Sequence, residues 1–309
     1  YFKDFIKIDE LNTANRALVS LLFSEKNLDS DMKVGFKGNP NIGSVVLNQF
    51  ATSQEYRDFA NGFQQGDRIF IISSIFGGTG ASGFPLLLKT IRSDRDSQSW
   101  NLISNAKVGA VTVLPYFNVS QDDNSGVDSS TFASKTKSAL AYYEHNISAN
   151  GGINALYYIG DNVPASYENH DGGSDQRNNA HIIELAAARS IIDFAAIQDD
   201  DQVLMCKENN NGKIFAPKAD FREFGLEEDA AEVLFTNLTQ TTREQLCTPM
   251  TQFVLFAKYV NEHLKHSITC DWAKDNKIDD AFLKSAFIAN IQKLTKAHLE
   301  WLAEMADND

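Results

Sequence analysis

Asp67-Arg-Ile-Phe-Ile-Ile-Ser-Ser74 runs through Ile75 and Phe76 straight into Gly77-Gly-Thr-Gly-Ala-Ser-Gly83. The β-branched run, bounded in front by Gly66, predicts a strand buried on both faces of a parallel sheet. Pro85 then falls where the first turn of a helix tolerates it, and Leu86, Leu87, Thr90 and Ile91 continue at helical spacing. Strand, glycine loop and helix therefore succeed one another. The clustered glycines let main-chain N–H groups converge without interference from Cβ atoms, and the following helix directs its positive dipole end to the same place. With Thr79 and Ser82 as hydroxyl donors, this corner is expected to hold a phosphate group; the alternative is a tight turn without a ligand.

Working outward, two more buried strands are read in Val108-Gly-Ala-Val-Thr-Val-Leu114, stopped by Pro115, and in Ala155-Leu-Tyr-Tyr-Ile159, stopped by Gly160-Asp-Asn162. Phe132 to Asn146 reads as the helix between them. From Asn178 to Ile197 apolar residues cover most of a helix circumference, which marks a helix buried between layers. The alternation predicts an α/β fold. Upstream, Leu11, Ala14, Leu18, Leu21 and Leu22 predict a packed helix, and Gly35-Phe-Lys-Gly-Asn-Pro-Asn-Ile-Gly43 a loop that opens another. Downstream, Thr248-Pro-Met is expected to cap a helix carrying Phe253, Val254, Ala257, Val260 and Leu264 on one face. Phe287, Ile291, Leu294, Trp301, Leu302 and Met305 line one stripe of a final helix.

The chain has 309 residues, with 41 acidic against 28 basic side chains and a net charge of −13, so no general field attracts nucleic acid or anionic lipid. No apolar stretch approaches the roughly 20 residues that span a bilayer. Three cysteines without a CxxC pair suit a reducing compartment, and a cytoplasmic location is expected. The opening at Tyr1 leads to the expectation that an N-terminal piece precedes it. His263, His266 and Cys270, with Cys247 upstream, have a loose metal-ligand look, but two histidines three apart near a helix end more often cap carbonyls, and no metal site is assigned.

Which phosphate ligand is the sharper question. Gly78-Thr-Gly80-Ala-Ser-Gly83 satisfies G-x-G-x-x-G, yet a dinucleotide fold needs an acid at the end of the next strand, and that strand ends in Leu114-Pro115. Phe84 and Pro85 stand where a Walker A loop needs Lys and Ser/Thr. Taken with its neighbours, the loop resembles the tubulin and FtsZ superfamily of GTP-binding filament proteins, whose signature is GGGTG[ST]G. Here Phe76 replaces the first glycine and Ala81 is inserted before Ser82. In family order, Gly38-Asn-Pro-Asn-Ile-Gly43 is similar to GNPEVG, and Arg68-Ile-Phe-Ile-Ile-Ser to the strand before the signature. Val108 to Phe117 is similar to VGVVTRPF with one residue extra, Ala155 to Asn162 to LIVIPND, and Asn179-Ala-His-Ile-Ile183 to the start of the central helix. The resemblance covers about residues 35 to 197.

That resemblance implies a Rossmann-like, parallel-sheet GTPase domain over residues 1–198, lacking its first strand and first glycine loop, with a central connecting helix and a helix-rich region over 199–309. It implies a prokaryotic-type GTP/GDP-binding protein with Mg²⁺ as counterion. Gly77, Gly78, Thr79, Gly80 and Ser82 would cradle the α- and β-phosphates, Gly38 and Asn39 would approach the γ-phosphate, and Asn179 would read the guanine edge. Asp199, Asp200 or Asp201 would polarise an attacking water or hold Mg²⁺ once a second subunit completes the site; the plain alternative is a solvated acidic turn without the family's NxDxxD spacing. Two alternatives remain: a nucleotide-binding scaffold without hydrolysis or filament formation, and a Rossmann-type NAD(P)-dependent enzyme.

Overall fold

The structure is a computed structural model that describes residues 1–120, 129–148, 152–161, 166–168, 179–197, 207–208, 214–215 and 235–307. By contacts the chain forms two units, one of residues 1–178 and 183–219 and the other of residues 179–182 and 220–309. The fold is mixed helix and sheet.

The first unit opens with helices α1 (Phe2–Phe5), α2 (Thr13–Leu22), α3 (Glu25–Leu28), α4 (Pro40–Leu47) and α5 (Gln54–Gly62). Strand β1 (Arg68–Ser74), helices α6 (Gly78–Ser93) and α7 (Trp100–Ser104), and strands β2 (Lys107–Val113) and β3 (Asn118–Val119) follow. Next come α8 (Phe132–Tyr143), β4 (Ala155–Ile159), β5 (Ser166–Tyr167) and α9 (Ile182–Ala196), then the short pair β6 (Lys207–Glu208) and β7 (Ile214–Phe215). β1, β2 and β4 form a parallel sheet in that order, with Ile69 opposite Val108 and Ala110 opposite Leu156. Two-residue ladders join β3 to β5 and β6 to β7.

One sheet face carries Ile69, Ile71, Val108 and Ala110 into a core with Phe84, Leu88 and Ile91 of α6. The opposite face receives α9. A Cβ at Gly109 would stand 2.8 Å from the rings of both Phe70 and Phe194, so only glycine lets this helix come so close. Tyr157 donates its hydroxyl to Asp193 Oδ2 at 2.9 Å, and Arg68 Nη1 donates to Phe194 O at 2.9 Å. At the amino-terminal end of the strands, Arg92 donates to Gly152 O, Ser104 O, Ala106 O and Asn154 Oδ1, tying the end of α6 to the segments that enter β2 and β4. Asp94, just after α6, accepts from the backbone of Asp96 and Ser97 and from Tyr56 Oη at 3.1 Å. Burial alone would raise its pKa; the hydrogen bonds from Ser97, Asp96 and Tyr56 outweigh that and hold it below the ordinary aspartate value.

Helix α6 starts inside the glycine stretch, at Gly78, rather than after it, so Pro85 is interior and not in the first turn. A proline at 85 cannot donate to the carbonyl of Ala81 four residues back. Tyr143 on α8 supplies the missing donor, its hydroxyl reaching Ala81 O at 3.3 Å while its ring meets Phe84 edge-on. The predicted helix at Leu11 to Phe23 forms as α2, but its leucines do not pack: Leu18 is 54 % exposed, Leu21 84 % and Leu22 60 %. Helical spacing reports which side chains share a face, not whether another element covers it.

In the second unit α10 (Gln240–Thr242), capped by Thr239, passes through a π-turn at Arg243–Cys247 into α11 (Thr248–Lys258). Thr248 is therefore helical rather than a cap. The wide turn just before Pro249 accommodates a ring that has no N–H to offer. Short helices α12 (Asp271–Asp275) and α13 (Asp280–Leu283) precede α14 (Ala286–Asp307). Phe287 and Leu294, expected in the buried stripe of α14, are more than half exposed; the buried positions are Ile288, Thr295 and Met305. Thr295 is tolerated there because its hydroxyl donates to Ile291 O and accepts from Asn261 Nδ2 at 2.8 Å.

Two outcomes follow for the first unit. Tyr143→Phe leaves Ala81 O unpaired and destabilises by about 1–3 kcal/mol in urea denaturation, whereas in a Pro85→Ala background, where residue 85 again has an N–H, the same change costs about 1 kcal/mol less. Because the folded-state pKa of Asp94 lies below its unfolded value, its stabilisation is complete above the ordinary aspartate range and is lost as pH falls through the folded pKa. Asp94→Asn removes that part of the acid dependence, as thermal melts across the acidic range would record.

Candidate functional site

The candidate site lies where β1 ends and α6 begins, at the carboxyl end of the parallel strands, which is where open α/β sheets place their ligands. Ala81 N–H makes the first intrahelical bond of this turn, to Gly77 O, and no side chain caps the helix. The N–H groups of Gly78, Thr79 and Gly80 therefore precede the helical hydrogen-bond ladder. Most of the predicted loop is helix, so the convergent donors are these first-turn amides rather than an extended nest.

Each glycine here has a separate steric reason. A Cβ at Gly80 would stand 2.5 Å from Ser74 O and 2.8 Å from Ser74 N, so the helix start rests directly on the strand backbone. A Cβ at Gly78 would lie 2.7 Å from Asn39 N and 3.0 Å from Phe36 Cβ, and one at Gly35 would meet Thr79 Oγ1 at 2.9 Å. The Gly35–Asn39 segment is thus packed against the first turn of α6. Its backbone is unusual: Gly35 and Gly38 have φ of +73°, and Lys37, with a side chain, has φ of +43°. A left-handed non-glycine residue is held only where surrounding contacts demand it.

Of the residues singled out from sequence, Gly38, Asn39, Gly77, Gly78, Thr79, Gly80 and Ser82 are gathered in this corner. Thr79 is exposed; Gly77 and Gly80 are half-buried; Gly78 is buried beneath Phe36. Ser82 is buried, and its hydroxyl donates to Gly78 O at 2.7 Å, so it serves the turn of its own helix. Asn39 Nδ2 donates to Lys37 O at 3.2 Å. Asn179 is exposed just before α9 and belongs by contacts to the second unit, whereas the glycine corner belongs to the first. Asp199, Asp200 and Asp201 lie outside the described residues. Among the described residues no group of three or more His, Cys, Asp or Glu is placed to hold a metal ion.

Two features had no sequence signal. Lys135 on α8 donates its ammonium to Gly38 O at 3.0 Å, across 97 positions in the chain, and brings a positive charge to the glycine segment. Phe76, Phe117 and Phe132 form an aromatic cluster beside it, with ring centroids 5.0 Å apart for Phe76–Phe132 and 5.6 Å for Phe76–Phe117. Phe117 also meets Tyr116 at 5.0 Å and Tyr167 at 5.8 Å. Burial, with smaller contributions from Glu184 and Tyr167, raises the pKa of the Tyr116 phenol.

Comparison of the chain with protein-family models, with curated proteins and with solved structures gives no match. No helix among the described residues is long and apolar enough to cross a membrane.

The contact made by Lys135 has a measurable weight. Lys135→Met keeps the aliphatic stem but loses the charged donor to Gly38 O, and is expected to lower stability by about 1–2 kcal/mol in urea denaturation. The exposed Lys137→Met is the control and should stay within about 0.5 kcal/mol of the parent.

Proposed function

We propose that this chain binds a guanine nucleotide, GTP or GDP, through the first turn of α6, in a nucleotide-binding domain of the tubulin and FtsZ type. The observation that carries the reading is the uncapped, glycine-built start of α6 at the end of a parallel strand, with the Gly35–Asn39 segment packed against it. Main-chain N–H groups at a helix start suit phosphate oxygens, and they explain how a chain of net charge −13 could take a polyanion without a basic surface.

In this reading Gly77, Gly78, Thr79 and Gly80 receive the α- and β-phosphates, Gly38 and Asn39 face the γ-phosphate, and Lys135 adds a charge near that end. Mg²⁺, which keeps several waters and takes few protein ligands, would be held chiefly by phosphate oxygens and a carboxylate from Asp199, Asp200 or Asp201. The same carboxylates would orient water for hydrolysis upon self-association, in a cytoplasmic setting.

Calorimetric titration of the chain with GTP, GDP, ATP and NAD(P) tests the reading. GTP is expected to bind at least tenfold more tightly than ATP, a difference of about 1.4 kcal/mol. Thr79→Glu places an acid in the first turn, which favours the helix but repels phosphate, so melting temperature holds while GTP affinity drops tenfold or more. Phosphate release rising faster than linearly with protein concentration marks an assembly-dependent GTPase; binding without release marks a scaffold. Binding of NAD(P) and not GTP would sink the proposal.

A further inference from the structure

Beneath the first turn of α6 the sheet carries two buried hydroxyls without a hydrogen-bond partner, Ser73 Oγ on β1 and Thr112 Oγ1 on β2. Ser73 is 9 % exposed and Thr112 fully buried. They are register partners in the parallel ladder and so share a face, the one that carries Ile71 and Ala110 toward α6. Ser73 Cβ lies 3.3 Å from the position a Cβ would take on Gly80, which brings its side chain against the first turn itself. A third unpartnered hydroxyl, Thr136 Oγ1, is buried on α8. It lies one helical turn after Phe132, which packs on Phe76, and before Tyr143, which bonds Ala81 O, so α8 holds it alongside the start of α6.

A buried hydroxyl that has left water and found no partner is a standing desolvation penalty, and native structures rarely keep one without a reason. Here Ser73, one of the orphaned pair, packs against Gly80 in the uncapped first turn of α6, and Thr112 is its register partner on β2. The amides can only donate; the hydroxyls can donate as well. A ligand that satisfies both sets must be rich in acceptors, and an oxyanion is the simplest species that is.

We infer that Ser73 and Thr112 are the side-chain half of a phosphate site at the start of α6: the amides meet the phosphate oxygens from the helix, and these hydroxyls donate to them from the sheet. The inference rests on reading this corner as a phosphate site, but it does not need the phosphate to belong to a nucleotide. It also separates the roles of the two conspicuous serines, since Ser82 Oγ is already held by Gly78 O and Ser73 Oγ is not.

The test uses the whole chain, with inorganic pyrophosphate and GTP as probes and thermal melting plus calorimetry as readouts. Thr112→Val and Ser73→Ala are expected not to lower the melting temperature without ligand, because no hydrogen bond is lost, while weakening pyrophosphate binding at least tenfold; Thr112→Ser, which keeps the hydroxyl, retains binding. Variants that bind pyrophosphate as the parent does would overturn the inference and leave the nucleotide proposal standing. A parent that binds pyrophosphate but not GTP, with the variants weakened, removes the nucleotide and supports the inference. A melting temperature several degrees lower in both ligand-free variants overturns it, since the hydroxyls then serve the fold through internal water. A parent indifferent to both probes overturns it together with the phosphate reading.

Discussion

The first turn of α6 rests on the backbone of Ser74 at Gly80, and that approach sets the geometry of everything around it. Any side chain at this position would collide with a strand carbonyl and amide, neither of which can move without breaking the β1–β2 ladder. The helix would have to lift from the sheet. Its first turn would then no longer lie against Ser73, and the Gly35–Asn39 segment would lose the surface it packs on.

Such contact has a local cost. Glycine in a helix is worse than alanine by about 1 kcal/mol and interior proline by about 3, and α6 carries Gly80, Gly83 and Pro85 within its first eight residues. Tertiary structure compensates on the same helix: Phe84, Leu88 and Ile91 are almost wholly buried, and each such side chain contributes about 1.5–3 kcal/mol. Tyr143 returns a donor to the carbonyl that Pro85 leaves open. The amino-terminal end of α6 is thus shaped by close approach and its remainder by burial, while Arg92 fastens the far end to the strand entrances.

Residue type and spacing are legible where neighbours in sequence remain neighbours in space. The three strands are read from Asp67, Val108 and Ala155 onward because their apolar runs are continuous and ended by glycine or proline, and the structure pairs all three in parallel. The sequence predicts a later start for α6 because Gly78, Gly80 and Gly83 look like loop when judged by propensity, whereas the helix begins at Gly78. Thr295 is absent from the predicted stripe of α14 for the converse reason: its polarity is cancelled by Asn261, 34 residues away. The leucines of α2 show the right period and no cover.

What the sequence alone determined is the alternation of buried strand and helix, the glycine stretch that begins α6, and a net charge of −13. Tertiary structure alone decided that Lys135 reaches Gly38 O, that Ser82 is held within its own helix, and that Ser73 and Thr112 stand side by side without partners. The physical reason is that hydrogen-bond satisfaction is a property of pairs. A sequence names each donor and acceptor, but whether one is paired depends on what chain segments tens of residues apart bring to it.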